Sequence, residues 1–196
     1  MIAVITADII NSTSNYNWRK NVEQYLNQIP SIEWSIYRGD SIQIRIENPE
    51  NVLNVALGLK SSVRQLPKLD IRIAIGLGEE SLKTDSVTQN QGGAYINSGR
   101  LFEELSQNLA IKTNEENIDI GLNAGLNLFN IICEQWTVKM AQYVHAKLMN
   151  PDANQEELAK ILNTSQSNVS RVLARSNYQV LLQYMQFFQQ FIQSRL

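Results

Sequence analysis

The side chains best suited to chemistry lie between residues 155 and 176, QEELAKILNTSQSNVSRVLARS. Gln166, Ser167, Asn168, Arg171 and Arg175 are uncharged hydrogen-bonding groups or bases, with no acid among them. Gln, Asn and Arg can read base edges in a DNA major groove, and two arginines one helical turn apart can read guanine or hold phosphate. Lys160, a few residues earlier, is placed to touch phosphate backbone. Elsewhere the inventory is thin. His145 is the only histidine, which argues against a zinc site or a Ser-His-Asp triad. Cys133 is the only cysteine, so no intrachain disulfide can form and the composition suits a reducing cytoplasm. Any catalysis would run on carboxylates, with or without a bound cation.

Presenting the 166–175 face requires two helices crossing closely. Ala159 supplies the small residue at the crossing, and Asn163, four residues on, tolerates left-handed backbone in the turn. Val169 and Val172 follow ten and thirteen residues after Ala159, on the inner side of the second helix. Leu158, Ile161 and Leu162 complete that inner face, and Ser165 can cap the second helix. This spacing predicts a DNA-binding helix-turn-helix over 155–176; a plain helical hairpin with a polar face is the alternative. A helix over 134–149 should precede it, with Trp136, Val138, Met140, Tyr143, Val144 and Leu148 inward and Asn150-Pro151-Asp152 as the break. His145 is expected on that helix as a core or surface residue. Residues 178–193 include the uncharged run LLQYMQFFQQFIQ. This helix either packs on the first half of the chain or forms a dimer seam. A dimer would suit a helix-turn-helix reading paired half-sites.

The first half reads differently. Residues 1–6 form a branched apolar run, a buried strand. Residues 18–28 read as a helix stopped by Pro30. Ile32, Trp34 and Ile36, then Ile42, Ile44 and Ile46, alternate with polar residues around Arg38-Gly39-Asp40, a hairpin signal. A helix over about 49–66 ends at Pro67. Ile71, Ile73 and Ile75 alternate as a further strand, followed by Gly76 and Gly78. Residues 81–91 carry no clear signal. Gly92-Gly93 precede a helix over about 94–109, and a short strand is expected within 110–120. Strand, helix, two strands, helix, strand, helix suits an α+β layer with helices covering a sheet face.

Length and composition agree with this division. The 196 residues allow one large domain or two small ones. Apolar residues at 43% and charged residues at 18% provide for a real core and argue against general disorder. A net charge of −2 excludes a histone-like protein that binds nucleic acid through bulk charge. Residues 1–133 carry 11 Lys/Arg and 15 Asp/Glu, whereas 134–196 carry 6 and 4. The opening MIAVITADII lacks a basic leader and is interrupted by Asp8, and no apolar run is long enough to span a bilayer. The expectation is a cytoplasmic protein with no membrane partner.

Four segments of the first half resemble the class III nucleotidyl cyclase domain, whose core is ferredoxin-like. ADIINST at 7–13 looks like that family's first strand end, which carries a metal-binding Asp, and RGDSIQ at 38–43 like its hairpin with the second. IRIAIGLGEE at 71–80 and GGAYINSGRL at 92–101 look like its Gly-Glu strand and its segment ending in a transition-state Arg. The ordered set covers about 95 residues. The resemblance implies Asp8 and Asp40 as a pair sharing Mg2+ with a nucleotide, and Asn97 and Arg100 as nucleotide-binding groups. Two such carboxylates would neutralise triphosphate charge and activate a ribose hydroxyl, while Arg100 offers a planar fork to phosphate. This sequence departs from the pattern in that Ile96 stands where the family has a ribose-positioning Asn, with Asn97 one position late. It also has no convincing base-selecting Lys/Asp pair. On the residues alone, Asp8 could instead cap the following turn and Arg38-Gly39-Asp40 be a tight turn only.

Over its full length the chain resembles the SatD family of small bacterial proteins, which join a degenerate cyclase-like domain to a C-terminal helix-turn-helix. ADIINST, RGDSIQ, EQWTVKMAQ and QEELAKIL…SQSNVSRVL carry the resemblance. Ala7 stands where that family often has Gly, and RGDSIQ lacks the acid and aromatic residues common after its Gly-Asp. The expectation is therefore a ferredoxin-like, cyclase-like α+β domain over 1–120 and an all-α domain over 121–196. That implies a DNA-binding transcriptional regulator whose first domain is catalytically degenerate and serves as sensor or dimerisation unit. Double-stranded DNA, a second copy of the chain and a nucleotide or anion effector are the expected partners. A metal-dependent cyclase or related nucleotide-processing enzyme is one alternative, and a protein-interaction module using the 178–193 helix is another.

Overall fold

The computed structural model describes residues 1–195. The chain is α+β, with a five-stranded mixed sheet and, among the described residues, eight α-helices. The strands are β1 (Ile2–Ile10), β2 (Ile32–Tyr37), β3 (Ser41–Ile46), β4 (Asp70–Gly78) and β5 (Leu109–Lys112), in spatial order β2-β3-β1-β4-β5. All pairings are antiparallel except β4 with β5. The β2–β3 hairpin turns where expected: Arg38 and Gly39 take left-handed φ values of 48° and 94°, a geometry that favours glycine.

The alternation read from sequence sets the register. Ala3, Ile5 and Ala7 of β1 face Ile46, Ile44 and Ile42 of β3, and Leu77, Ile75 and Ile73 of β4. These side chains lie on one face and are buried. Helices α1 (Asn17–Leu26) and α2 (Val52–Arg64) cover that face. α2 is buried almost all round, with the sheet beneath it and α5 (Val138–Met149) above. The opposite face of β4 and β1 carries α3 (Gly93–Glu104). Gly76 is what lets α3 in, since a Cβ there would strike the Ala94 carbonyl and the Ser98 amide.

Two boundaries differ from the sequence reading. The helix expected to 109 ends at Glu104, because Leu105 turns to extended backbone and the chain enters β5. The strand expected within 110–120 is only Leu109–Lys112, after which α4 (Glu116–Glu134) runs to the start of the region expected as the next helix. α4 lacks a strong cap, but Ile118, Leu122, Leu126, Phe129 and Cys133 recur at helical spacing and join the sheet's core cluster. The division expected at 120/121 therefore falls inside a helix that belongs to the sheet layer.

The chain continues through α5, α6 (Gln155–Ile161), α7 (Gln166–Arg175) and α8 (Tyr178–Gln193). Of the two placements open for 178–193, packing on the first half is observed. Tyr178, Leu181, Met185, Phe188 and Ile192 enter the main core, and the Tyr184 hydroxyl donates to the Leu122 carbonyl at 2.6 Å. Arg64, at the end of α2, donates to the carbonyls of Glu134 and Trp136, and the Trp136 indole donates to Ser176. These bonds tie the junctions before α5 and before α8 to the sheet layer. Among the described residues no helix is long and apolar enough to cross a membrane.

Candidate nucleic-acid interface

α6 and α7 are built as their sequence requires. Asn154 accepts from the amides of Glu156 and Glu157 while Glu157 reaches back to the Asn154 amide, a capping box that starts α6. Asn163 takes φ 48° in the turn. The Ser165 hydroxyl accepts from the Asn168 amide and caps α7. Leu158, Ala159, Val169 and Val172 are buried with Tyr143 of α5 in a small core of their own, against which Leu162 packs partly buried. Ile161 differs from expectation. It closes α6 with 55% of its surface exposed, and the inner position at the turn is taken by Leu162.

The polar side of α7 faces solvent. Gln166, Ser167, Arg171 and Arg175 are exposed, as is Lys160 at the end of α6. Gln166 donates to the Gln155 side chain at 2.6 Å, joining the first turns of the two helices, and Ser167 lies 3.1 Å from the Ser165 hydroxyl. Asn168 is the exception. Half-buried, it donates one amide proton to the Tyr143 hydroxyl at 2.7 Å and the other to Thr164 Oγ1 at 2.9 Å, while its oxygen accepts from Arg171 at 2.8 Å. With both donors committed, Asn168 positions Arg171 and fixes α7 on α5; it is not a free reader of bases. Tyr143 is inward as its helix position implies, but its bond to Asn168, like that of Thr164, has no counterpart in the sequence pattern beyond the Thr164–Asn168 spacing of one helical turn.

The first half brings together different groups from those implied by the cyclase resemblance. Asp8 stands opposite Arg72 in the β1–β4 register and accepts from it through both oxygens, at 2.9 and 2.6 Å. Arg72 also lies 5.0 Å from the centre of the Phe102 ring on α3. A cation at Asp8 would have to displace Arg72. Asp40 belongs to the hairpin turn and accepts from the Ser12 hydroxyl at 2.6 Å, in a shallow hollow shared with Trp18. No hydrogen bond joins Asp8 and Asp40, and among the described residues no cluster of three or more His, Cys, Asp or Glu is placed to hold a metal ion. Asn97 is buried, donating to the Leu77 carbonyl and to Asn114, so it fastens α3 to the end of β4. Arg100 is exposed on the outer side of α3.

A second buried polar cluster does occur on the α3 face of the sheet. Arg45 of β3 makes two 2.8 Å bonds to Glu80 and a 3.4 Å contact with Glu33. Tyr95 donates to Glu80 at 2.9 Å, and Asn90 donates to Tyr95. The Arg45 hydrogen bond, reinforced by Tyr95, holds the Glu80 carboxyl below the usual carboxylate range against the opposing effect of burial. Burial pushes the Tyr95 phenol up to about 12. The arrangement fixes the 79–91 segment, which had no clear sequence signal, against the hairpin and α3. His145 packs edge-on to Tyr25, with Nδ1 3.1 Å from the Ser61 hydroxyl, and burial lowers its pKa to about 4.

No protein-family model matches the chain. No curated protein matches it at a significant level.

Proposed function

We propose that the chain is a DNA-binding regulator of the SatD kind, in which α6 and α7 form a helix-turn-helix and the sheet layer carries and pairs these reading units. The observation that carries this reading is the exposed, acid-free side of α7, with Gln166, Ser167, Arg171 and Arg175 outward and Val169 and Val172 inward. The left-handed Asn163, the Ser165 cap and the small Ala159 at the crossing support it. For the first half, a βαββαβ succession with antiparallel strand order β2-β3-β1-β4 supports a ferredoxin-like core. The Asp8–Arg72 pair favours a structural use of the cyclase-like carboxylate over metal-dependent turnover. Cytoplasmic residence follows from a role on DNA.

A reading helix of this type acts in pairs, and a second copy of the chain is the proposed partner. The outer side of α4 supplies a surface for it. Ile120, Leu128 and Ile131 are each more than half exposed, as is Phe187 of α8, and residues 120–133 contain no charge.

The test is selection of duplex DNA from a random pool by the full chain. The affinity of the selected duplex is then compared between the parent and Arg171→Ala plus Arg175→Ala. Loss of two base or phosphate contacts should weaken binding by at least about tenfold and flatten its salt dependence. Equal affinity would refute the assigned face.

A further inference from the structure

A cavity of about 630 Å³ lies where the sheet layer meets the helical half. The end of α1, the β2–β3 edge and the start of α2 form one side, and the end of α5 and the start of α8 the other. The volume is within the range of small-molecule sites. Its chemistry is selective, because no Lys, Arg, Asp, Glu or His lines it. Ile29, Ile32, Val55, Leu148, Met149 and Leu182 give apolar walls. Gln28, Asn48 and Asn54, exposed at its rim, and the half-buried Asn51 present side-chain amides that, among the described residues, make no hydrogen bond within the chain. Tyr178 is 9% exposed, and its hydroxyl, which makes no hydrogen bond within the chain, is open to solvent at the cavity.

The lining offers no counter-charge to an ion that gives up hydration here, which favours an uncharged occupant. A neutral molecule would meet apolar walls on one part and paired amide donors and acceptors on another. We propose that this cavity binds an uncharged small molecule with an apolar body and an amide-type hydrogen-bonding edge. The occupant would touch both chain segments that hold the α6–α7 pair. Leu148 and Met149 lead through Pro151 into α6, and Tyr178 and Leu182 follow α7. The inference stands apart from the DNA reading, since it requires no nucleic acid.

The probes are 1-naphthamide and its charged counterpart 1-naphthoate, titrated into the full chain by saturation-transfer NMR and thermal shift. The amide should saturate and raise the melting temperature, with 1-naphthoate at least tenfold weaker. Leu182→Trp, which fills the cavity, should abolish amide binding, and Tyr178→Phe should weaken it severalfold with an unchanged circular dichroism spectrum. Failure of the amide to saturate, equal binding of the carboxylate, or parental affinity in Leu182→Trp overturns the proposal. Should Leu182→Trp not fold, Tyr178→Phe and Asn51→Leu decide, and parental affinity in both is equally fatal. The Arg171→Ala plus Arg175→Ala variant should bind the amide like the parent, which separates this outcome from that of the DNA test.

Discussion

Arg45 holds two carboxylates at once from a side chain that is 7% exposed, opposite a Glu80 that is 14% exposed. Removing Glu80 takes away both short bonds and leaves the buried guanidinium with only the 3.4 Å contact to Glu33, which costs about 3 kcal/mol. Glu80→Gln should therefore lower the melting temperature by roughly 6–12 °C, read by calorimetry at neutral pH. Arg45→Met together with Glu80→Met should recover much of that loss, because no charge is left stranded. His145 makes the opposite kind of statement. Folded, it takes up a proton only near pH 4, whereas its ordinary pKa is 6.5. Between those values acid protonates the unfolded chain first. The contribution is complete above about pH 6.5 and falls away toward pH 4, by about 3 kcal/mol at 1.4 kcal/mol per unit. His145→Phe should flatten the stability-versus-pH curve in that window, while the separate acid-side loss from protonating Glu80, whose carboxyl lies below its usual range, should persist. Neither pairing was legible in sequence. Arg45 and Glu80 are 35 residues apart, and nothing in the pattern around Asp8 names Arg72 as its partner. Such bonds depend on register across strands, which only the folded sheet sets.

The elements with strict periodicity were read well, and for a physical reason. Alternating isoleucines in β3 and β4 can bury one face in only one register, and the helical spacings Leu158–Leu162 and Val169–Val172–Leu173 suit the inner sides of two packed helices. α4 escaped because it follows a four-residue strand and carries apolar residues on two sides, so its buried stripe is blurred by Ile120, Leu128 and Ile131. Gly76 was visible as a residue, but its use was not; the reason for it is a helix whose approach only the fold dictates. Gly76→Val should force α3 away from β4 at a cost of about 1–3 kcal/mol or more, measured by chemical denaturation. At the other end, Asn168→Ala leaves the Tyr143 hydroxyl and Arg171 without their bonds. It should cost about 1–2 kcal/mol of stability and, on the proposed function, also weaken DNA binding by loosening Arg171. Unchanged affinity in a folded Asn168→Ala would remove Asn168 from the positioning role.

At the scale of the molecule, the charge difference between the two halves is not a division into two independent cores. Ala3 of β1 and Ile192 of α8 belong to the same buried cluster. If paired copies meet through α4, Leu128→Glu plus Phe187→Glu should shift sedimentation from dimer to monomer and leave the circular dichroism spectrum unchanged, since both side chains are more than half exposed. A parental sedimentation profile would place the interface elsewhere. The return of α8 to the sheet has a temporal consequence. Phe188 is completely enclosed by elements made much earlier in synthesis, so a ribosome must have extruded α8 before the interior is sealed. Until then the nascent chain displays the apolar surface that Phe188 and its neighbours will cover.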